Sequence, residues 1–381
     1  MQRSMVEFMG PAGSVSEVDL INPTKISKTL RRYPVKKTAV VPALIALTLL
    51  VTTTMTQAAM GTNPTTVITN HDNSGENITS VKRPGAVSGG SIYVHPFIDL
   101  AAIRESKIEI FVSDAENNVV NIYNTSGKLL GQIVGLSEPQ GLASDGKANL
   151  YIADTANSRI QIYAPPYNKK PTTLGDPGEY PSGVAVTYNG EFVAVANILS
   201  TTGGPGDILI FKKGKAGFKI VSSALARPYF CAFDAKGNLY VDGENSAGQV
   251  VIGEIANATK GGKKFETLRY TGAAISFPGG IVATTRDKIA ILDQEASTIY
   301  TFNQPVKGSL GSPIATTVLT GASDIVTFAF TASNKDLWGA DAGTTGVAEF
   351  AYPASGNAIK SFSEGGEPIG VALVPAEQPE N

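Results

Sequence analysis

One short pattern recurs six times between residues 105 and 375, and it limits the chain to very few architectures. "GLASDGKANLYIAD" (141–154), "GIVATTRDKIAILD" (280–293) and "FAFTASNKDLWGAD" (328–341) align without a gap. Looser copies occupy 183–197 and 230–243, and a partial copy, "IEIFVSD", ends at Asp114. The anchor positions 114, 154, 197, 243, 293 and 341 are 40, 43, 46, 50 and 48 residues apart. A period of this length belongs to a solenoid or a propeller.

The interior of each unit selects the propeller. "GLAS", "NLYIAD" and "SRIQIY" are short apolar or alternating runs, separated by Gly, Asn, Asp and Pro. That is strand, turn, strand, turn. No stretch keeps a 3.6-residue apolar period. Charged residues make up only 17% of the chain, with 40 glycines and 22 prolines, which suits a turn-rich β protein. In Pro139-Gln-Gly141, Pro181-Ser-Gly183 and Pro278-Gly-Gly280 the proline opens the innermost strand. The glycine then lets neighbouring backbones approach near the axis. The first unit, near Asp114, lacks such a strand, and "EPIGVALVP" (367–375) at the C-terminus supplies one. The expected fold is an all-β, six-bladed β-propeller. Its C-terminal strand closes the first blade and leaves no open edge.

Residues 139–163 carry a resemblance. The pattern P-x-G-(L/V)-A, G-N-L-Y-(I/V)-A-D, N-x-R-I-Q-(I/V)-(F/Y) resembles the NHL repeat, and the likeness extends over about 105–375 with later copies degenerate. The resemblance implies a six-bladed propeller but no single function. NHL-like propellers serve as interaction platforms, as ligand sensors and as a few enzymes. Within "NLYIADTANSRIQIY" (149–163), Tyr151, Ile160 and Ile162 are expected between blades. Asp154 is expected to accept N–H groups of its turn, and Arg159 to pair locally. Asp114, Asp154, Asp293 and Asp341 share one repeat position, which raises the alternative of a carboxylate ring holding a cation. Asn197 and Gly243 break that ring, and repeated geometry turns each carboxylate to its own turn, so no metal and no cofactor are assigned. Asp242, one position early, is expected on the opposite face of its strand.

Enzyme chemistries of related folds are poorly served. The chain has two histidines, His71 and His95, both before the repeats. The zinc site of the peptidylglycine amidating lyases, the histidine base of streptogramin lyase-like propellers and a Ser–His–Asp arrangement all need a histidine that the repeats lack. A gluconolactonase-like site uses Glu, Asn and Asp on a divalent metal, residue types that are present here. Cys231, the single cysteine, sits in an inner strand and is read as a small buried apolar residue. No catalytic residue is assigned. The residues just before the inner strands vary while the proline stays: Glu138, Tyr180, Arg227, Phe277 and Glu367. They are the candidate ligand positions, at one mouth of the channel.

The N-terminus reads as a targeting segment. Lys25, Lys28, Arg31, Arg32, Lys36 and Lys37 precede the apolar run 39–51, and Ala58 follows as a cleavage position. The expected division is a signal at 1–58 (with 1–34 as an over-extended start), a flexible linker and lead-in at 59–104, the propeller at 105–375 and a tail at 376–381. Without 1–58, 24 basic and 30 acidic side chains remain, a balance that disfavours nucleic acid. The expectation is an exported monomer, periplasmic or extracellular, binding a protein or small molecule without catalysis. It meets a membrane only if the leader stays uncleaved. The alternatives are a metal-dependent gluconolactonase-like hydrolase and a tethered cell-envelope structural protein.

Overall fold

The structure is a computed structural model that describes residues 96–374 apart from Lys107 and Thr285. The expected leader, the tail and all but the last residues of the lead-in lie outside the described residues. Six antiparallel sheets form the blades of a propeller. From the axis outward, blade 1 contains Pro368–Val374, Glu109–Asp114, Val119–Asn124, Leu129–Ile133 and Phe97–Ile98. Blade 2 runs Pro139–Ser144, Leu150–Asp154, Arg159–Tyr163, Thr172–Gly175, and blade 3 Glu179–Val186, Phe192–Ser200, Ile208–Lys212, Lys215–Ile220. Blade 4 is Arg227–Phe233, Leu239–Glu244, Val250–Ile255, Phe265–Thr267. Blade 5 is Pro278–Ala283, Lys288–Asp293, Thr298–Asn303, Ala315–Thr320, and Gly356–Asn357 joins its outer edge. Blade 6 is Ile325–Phe330, Asp336–Asp341, Gly346–Ala351, Lys360–Ser363. The short helix Leu100–Glu105, capped by Asp99, covers blade 1 through Ile103.

The C-terminal strand closes the ring as the sequence implied, pairing Glu109 with Val374 and Asp114 with Pro368. The repeat is equally regular in register. The six anchors lie opposite Pro368, Pro139, Pro181, Pro228, Pro278 and Ile325, the first or an early residue of each inner strand. Next to this pair every blade shifts register, so the inner strand bends as it starts.

There is no single central core. Six apolar clusters fill the six junctions between blades, because both faces of each blade are buried. Period-two alternation divides each strand between two neighbours. Leu150 and Ile152 pack with Phe111, Val120 and Ile122 of blade 1. Tyr151, Ala153 and Ile160 pack with Val184, Val195 and Phe211 of blade 3, and Ile162 lies against the same cluster. This is why the strands read as continuous apolar runs. Each fully buried Leu, Ile or Phe contributes about 1.5–3 kcal/mol.

Near the axis the blades meet backbone to backbone. A Cβ on Gly141 would stand 2.5 Å from the Ser182 carbonyl oxygen, and one on Gly183 would stand 2.5 Å from that of Tyr229. Gly175, at an outer edge, has nothing within 4 Å of the same position. Gly183→Ala is therefore expected to cost about 1–3 kcal/mol, and Gly175→Ala to stay within about 0.5 kcal/mol. Denaturant titration of the two variants checks the contrast.

Candidate functional site: the two mouths of the central channel

Each inner strand is terminal in its sheet, so one backbone edge of every blade faces the axis. All six N-terminal ends gather at one mouth, and the C-terminal halves line the other.

At the N-terminal mouth the repeated carboxylates act as ties. Asp154 accepts the Ser137 N–H (2.7 Å), the Asn157 side-chain amide (3.0 Å) and Arg159 Nε (2.6 Å). Asp341 accepts the N–H groups of Asp324 (3.0 Å), Gly343 (3.1 Å) and Thr344 (3.2 Å). Asp114 accepts those of Asn117 (2.9 Å) and Glu367 (3.2 Å), and Asp293 that of Phe277 (3.3 Å). These aspartates therefore hold the segment leading into the inner strand. Asp114 and Asp341 also accept backbone N–H groups of their own turns, whereas Asp154, contrary to expectation, meets its turn only through the Asn157 and Arg159 side chains. The first role was not legible in sequence. In blade 3, Asn197 donates to Asp176 (2.8 Å) and Asp207 (2.7 Å), and Lys219 bridges Asp207 (3.0 Å) and Glu179 (2.8 Å). In blade 4, Asp242 turns to the Phe230 N–H (3.0 Å), and complete burial lifts its carboxyl well above the usual range. Among the described residues, no three His, Cys, Asp or Glu side chains are disposed to hold a metal ion.

The five candidate positions fall into separate groups. Arg227 pairs with Glu244 (3.0 Å), Tyr229 donates to the same carboxylate (3.2 Å), and Phe277 meets Tyr229 edge-on at 5.4 Å. Glu138, in a left-handed conformation at φ 50°, has a buried Oε2 without a hydrogen-bond partner. Burial, then the charge of Glu367, raises its pKa. Burial raises Glu367 as well, followed by Glu116, Asp114 and Asp324. Tyr180 is half-buried opposite Leu199. Sequence reading did not single out Tyr229, Glu244, Asp324 or Glu364. The Gly243 gap in the aspartate series was the available signal for Glu244, which follows it directly.

The C-terminal mouth opens into a cavity of about 540 Å³. None of the five candidates lines it. One residue from each blade, opposite equivalent positions of the second strand, forms a ring of small side chains: Ala143, Ala185, Ala232, Val282, Ala329 and Ala372. Ser144, Thr187, Asn189 and Thr284 add polar groups, and Tyr188, Phe233 and Phe330 add rings. Cys231 reaches the same wall. Burial pushes its thiol pKa far up, as expected of a small apolar residue.

The sequence matches no known family model and no curated protein. Solved structures are similar in fold. A chain of a nidogen/laminin complex superposes with a TM-score of 0.58 at 16% identity, over 71% of this chain and 100% of that one. A protein of unknown function from Bacteroides caccae gives 0.54 at 12% identity, over 70% and 99%. A functionally unknown protein from Desulfotomaculum acetoxidans DSM 771 gives 0.50 at 13%, over 71% and 99%. At these identities the likeness shows the six-bladed propeller and nothing finer.

The closing seam titrates. Burial and the facing Asp114 lift Glu364 to about 7, against the hydrogen bond from Asn121. A carboxyl raised on folding binds its proton more tightly in the native state, so its stabilising effect fades as pH rises from about 4.5 to 7. Relative to wild type, Glu364→Gln is expected to gain roughly 2–4 °C in Tm over that window. Glu109 and Asp176, lifted by burial to about 7 and 6, keep a common slope in both proteins. Thermal melts at pH 5 and 7.5 measure the difference.

Proposed function

We propose that this protein is an exported, noncatalytic binding module built on an NHL-like propeller, with its ligand held on the propeller axis. The observation that carries the reading is the cavity of about 540 Å³ at the C-terminal mouth. Its volume lies within the roughly 300–1,000 Å³ of pockets that take small molecules. Two further features support it. No histidine occurs between 105 and 375, and the repeated aspartates at the other mouth are engaged with backbone N–H groups. The export element rests on the basic, apolar and small-residue order of residues 1–58.

A gluconolactonase-like hydrolase is the second reading. It is favoured by the unpartnered Oε2 of Glu138 among the half-buried carboxylates of the N-terminal mouth. Thermal shift in Ca²⁺, Zn²⁺ and EDTA, with a parallel lactone turnover assay, separates the two. The binding module is expected to hold its Tm within about 1 °C in all three and to release no acid from lactones. A stoichiometric divalent ion, stability lost to chelator and turnover would establish the hydrolase instead.

A further inference from the structure

The walls of the axial cavity have a definite chemical character. Among the described residues only two charged side chains, Asp234 and Lys236, belong to its lining, and both are occupied. Asp234 accepts the N–H groups of Lys236 (2.9 Å) and Asn238 (2.8 Å), together with the Asn238 amide (2.8 Å). Lys236 Nζ pairs with Asp287 at 3.0 Å. A charged guest would give up its hydration and meet no counter-charge, which is costly.

The backbone supplies the polar contribution. An edge strand presents a row of unpaired N–H and C=O groups, and six such edges face the channel. The edge of blade 1 is already engaged by hydroxyls of blades 2 and 6. Ser144 Oγ donates to the Leu373 carbonyl (2.7 Å), and Thr327 Oγ1 donates to that of Ile369 (2.8 Å) while accepting the Val371 N–H (3.0 Å). Among the described residues no side chain bonds the backbone of 184–186, 231–233 or 281–283, so the edges of blades 3, 4 and 5 are open to a guest. Apolar side chains stand on both sides, Phe233 of blade 4 as well as Phe330 and Leu373 of blades 6 and 1.

We propose that the cavity is a site for an uncharged molecule that has an apolar face and both donates and accepts hydrogen bonds. This rests on the binding reading above. The guest packs its apolar face against these apolar side chains and hydrogen-bonds the strand edges of blades 3 to 5. Selection against charge comes from the absence, among the described residues, of any free charged side chain in the wall.

A matched pair of fluorescent probes tests the proposal on the full chain. N-phenyl-1-naphthylamine is uncharged and carries one N–H. 1-Anilinonaphthalene-8-sulfonate is the same skeleton with an added sulfonate. The uncharged probe is expected to saturate at one per chain, and the sulfonate to bind at least about ten-fold more weakly. Ala283→Trp fills the mouth and is expected to abolish binding of the uncharged probe. Val186→Trp does the same from blade 3 if the first variant fails to fold. Ala283→Lys is expected to narrow the gap by strengthening the sulfonate. Equal or tighter binding of the sulfonate to wild type would overturn the class and leave the cavity as a binding site. Binding of neither probe would overturn the class and the binding reading together. Binding untouched by both Trp variants would overturn the location.

Discussion

Everything in this fold depends on one pairing between distant parts of the chain, Pro368–Val374 against Glu109–Asp114. Residues 368–374 are the inner strand of blade 1 and face both neighbours at once. Val371 and Leu373 pack with Trp338, Ala340 and Val347 of blade 6, while Ala372 and Val374 join Phe111 and the blade 2 residues Leu150 and Tyr167. Without that strand two of the six junctions lose a wall, and the two end blades expose flat apolar faces. The loop before it is held by the same device that opens blades 2, 5 and 6, a repeated carboxylate, here Asp114 accepting the Glu367 N–H.

Closure then dictates composition near the axis. Six backbones converge there, and only small side chains leave room for them. Gly141 and Gly183 sit where a Cβ would strike the next blade's backbone. One level further along, five alanines and Val282 form the wall of a cavity. The channel is thus a by-product of six strands meeting with nothing large between them. Its chemistry is that of strand edges and methyl groups, with the charged groups displaced to the rims.

The sequence made the blades legible because turn chemistry is local. An Asp followed by turn residues, or a Pro-x-Gly opening a strand, specifies its geometry within a few residues, and six copies reinforce the reading. The closing strand was legible by subtraction, since the first unit lacked an opening of its own. Phe97–Ile98, the outermost strand of blade 1, lies in the stretch read as lead-in, because two residues carry no periodicity. The cavity was hidden for a different reason. Looking for departures from the repeat led to Glu138, Tyr180, Arg227, Phe277 and Glu367 at the N-terminal mouth. The cavity at the other mouth is lined by what the repeats share, and a wall of alanines and backbone has no motif. The interactions among Arg227, Tyr229, Glu244 and Phe277, drawn from separate parts of blade 4 and its approach to blade 5, required the folded geometry.

Native-state hydrogen exchange measures ring closure most directly. If the C-terminal strand is integral to one cooperative ring, amides of Gly370–Val374 open with the same free energy as those of Leu150–Asp154 and Leu239–Glu244, at the global value. Exchange of 370–374 at a distinctly lower free energy, with blades 2 to 5 still protected, would show a ring that stands without its closing strand and would contradict the dependence described here.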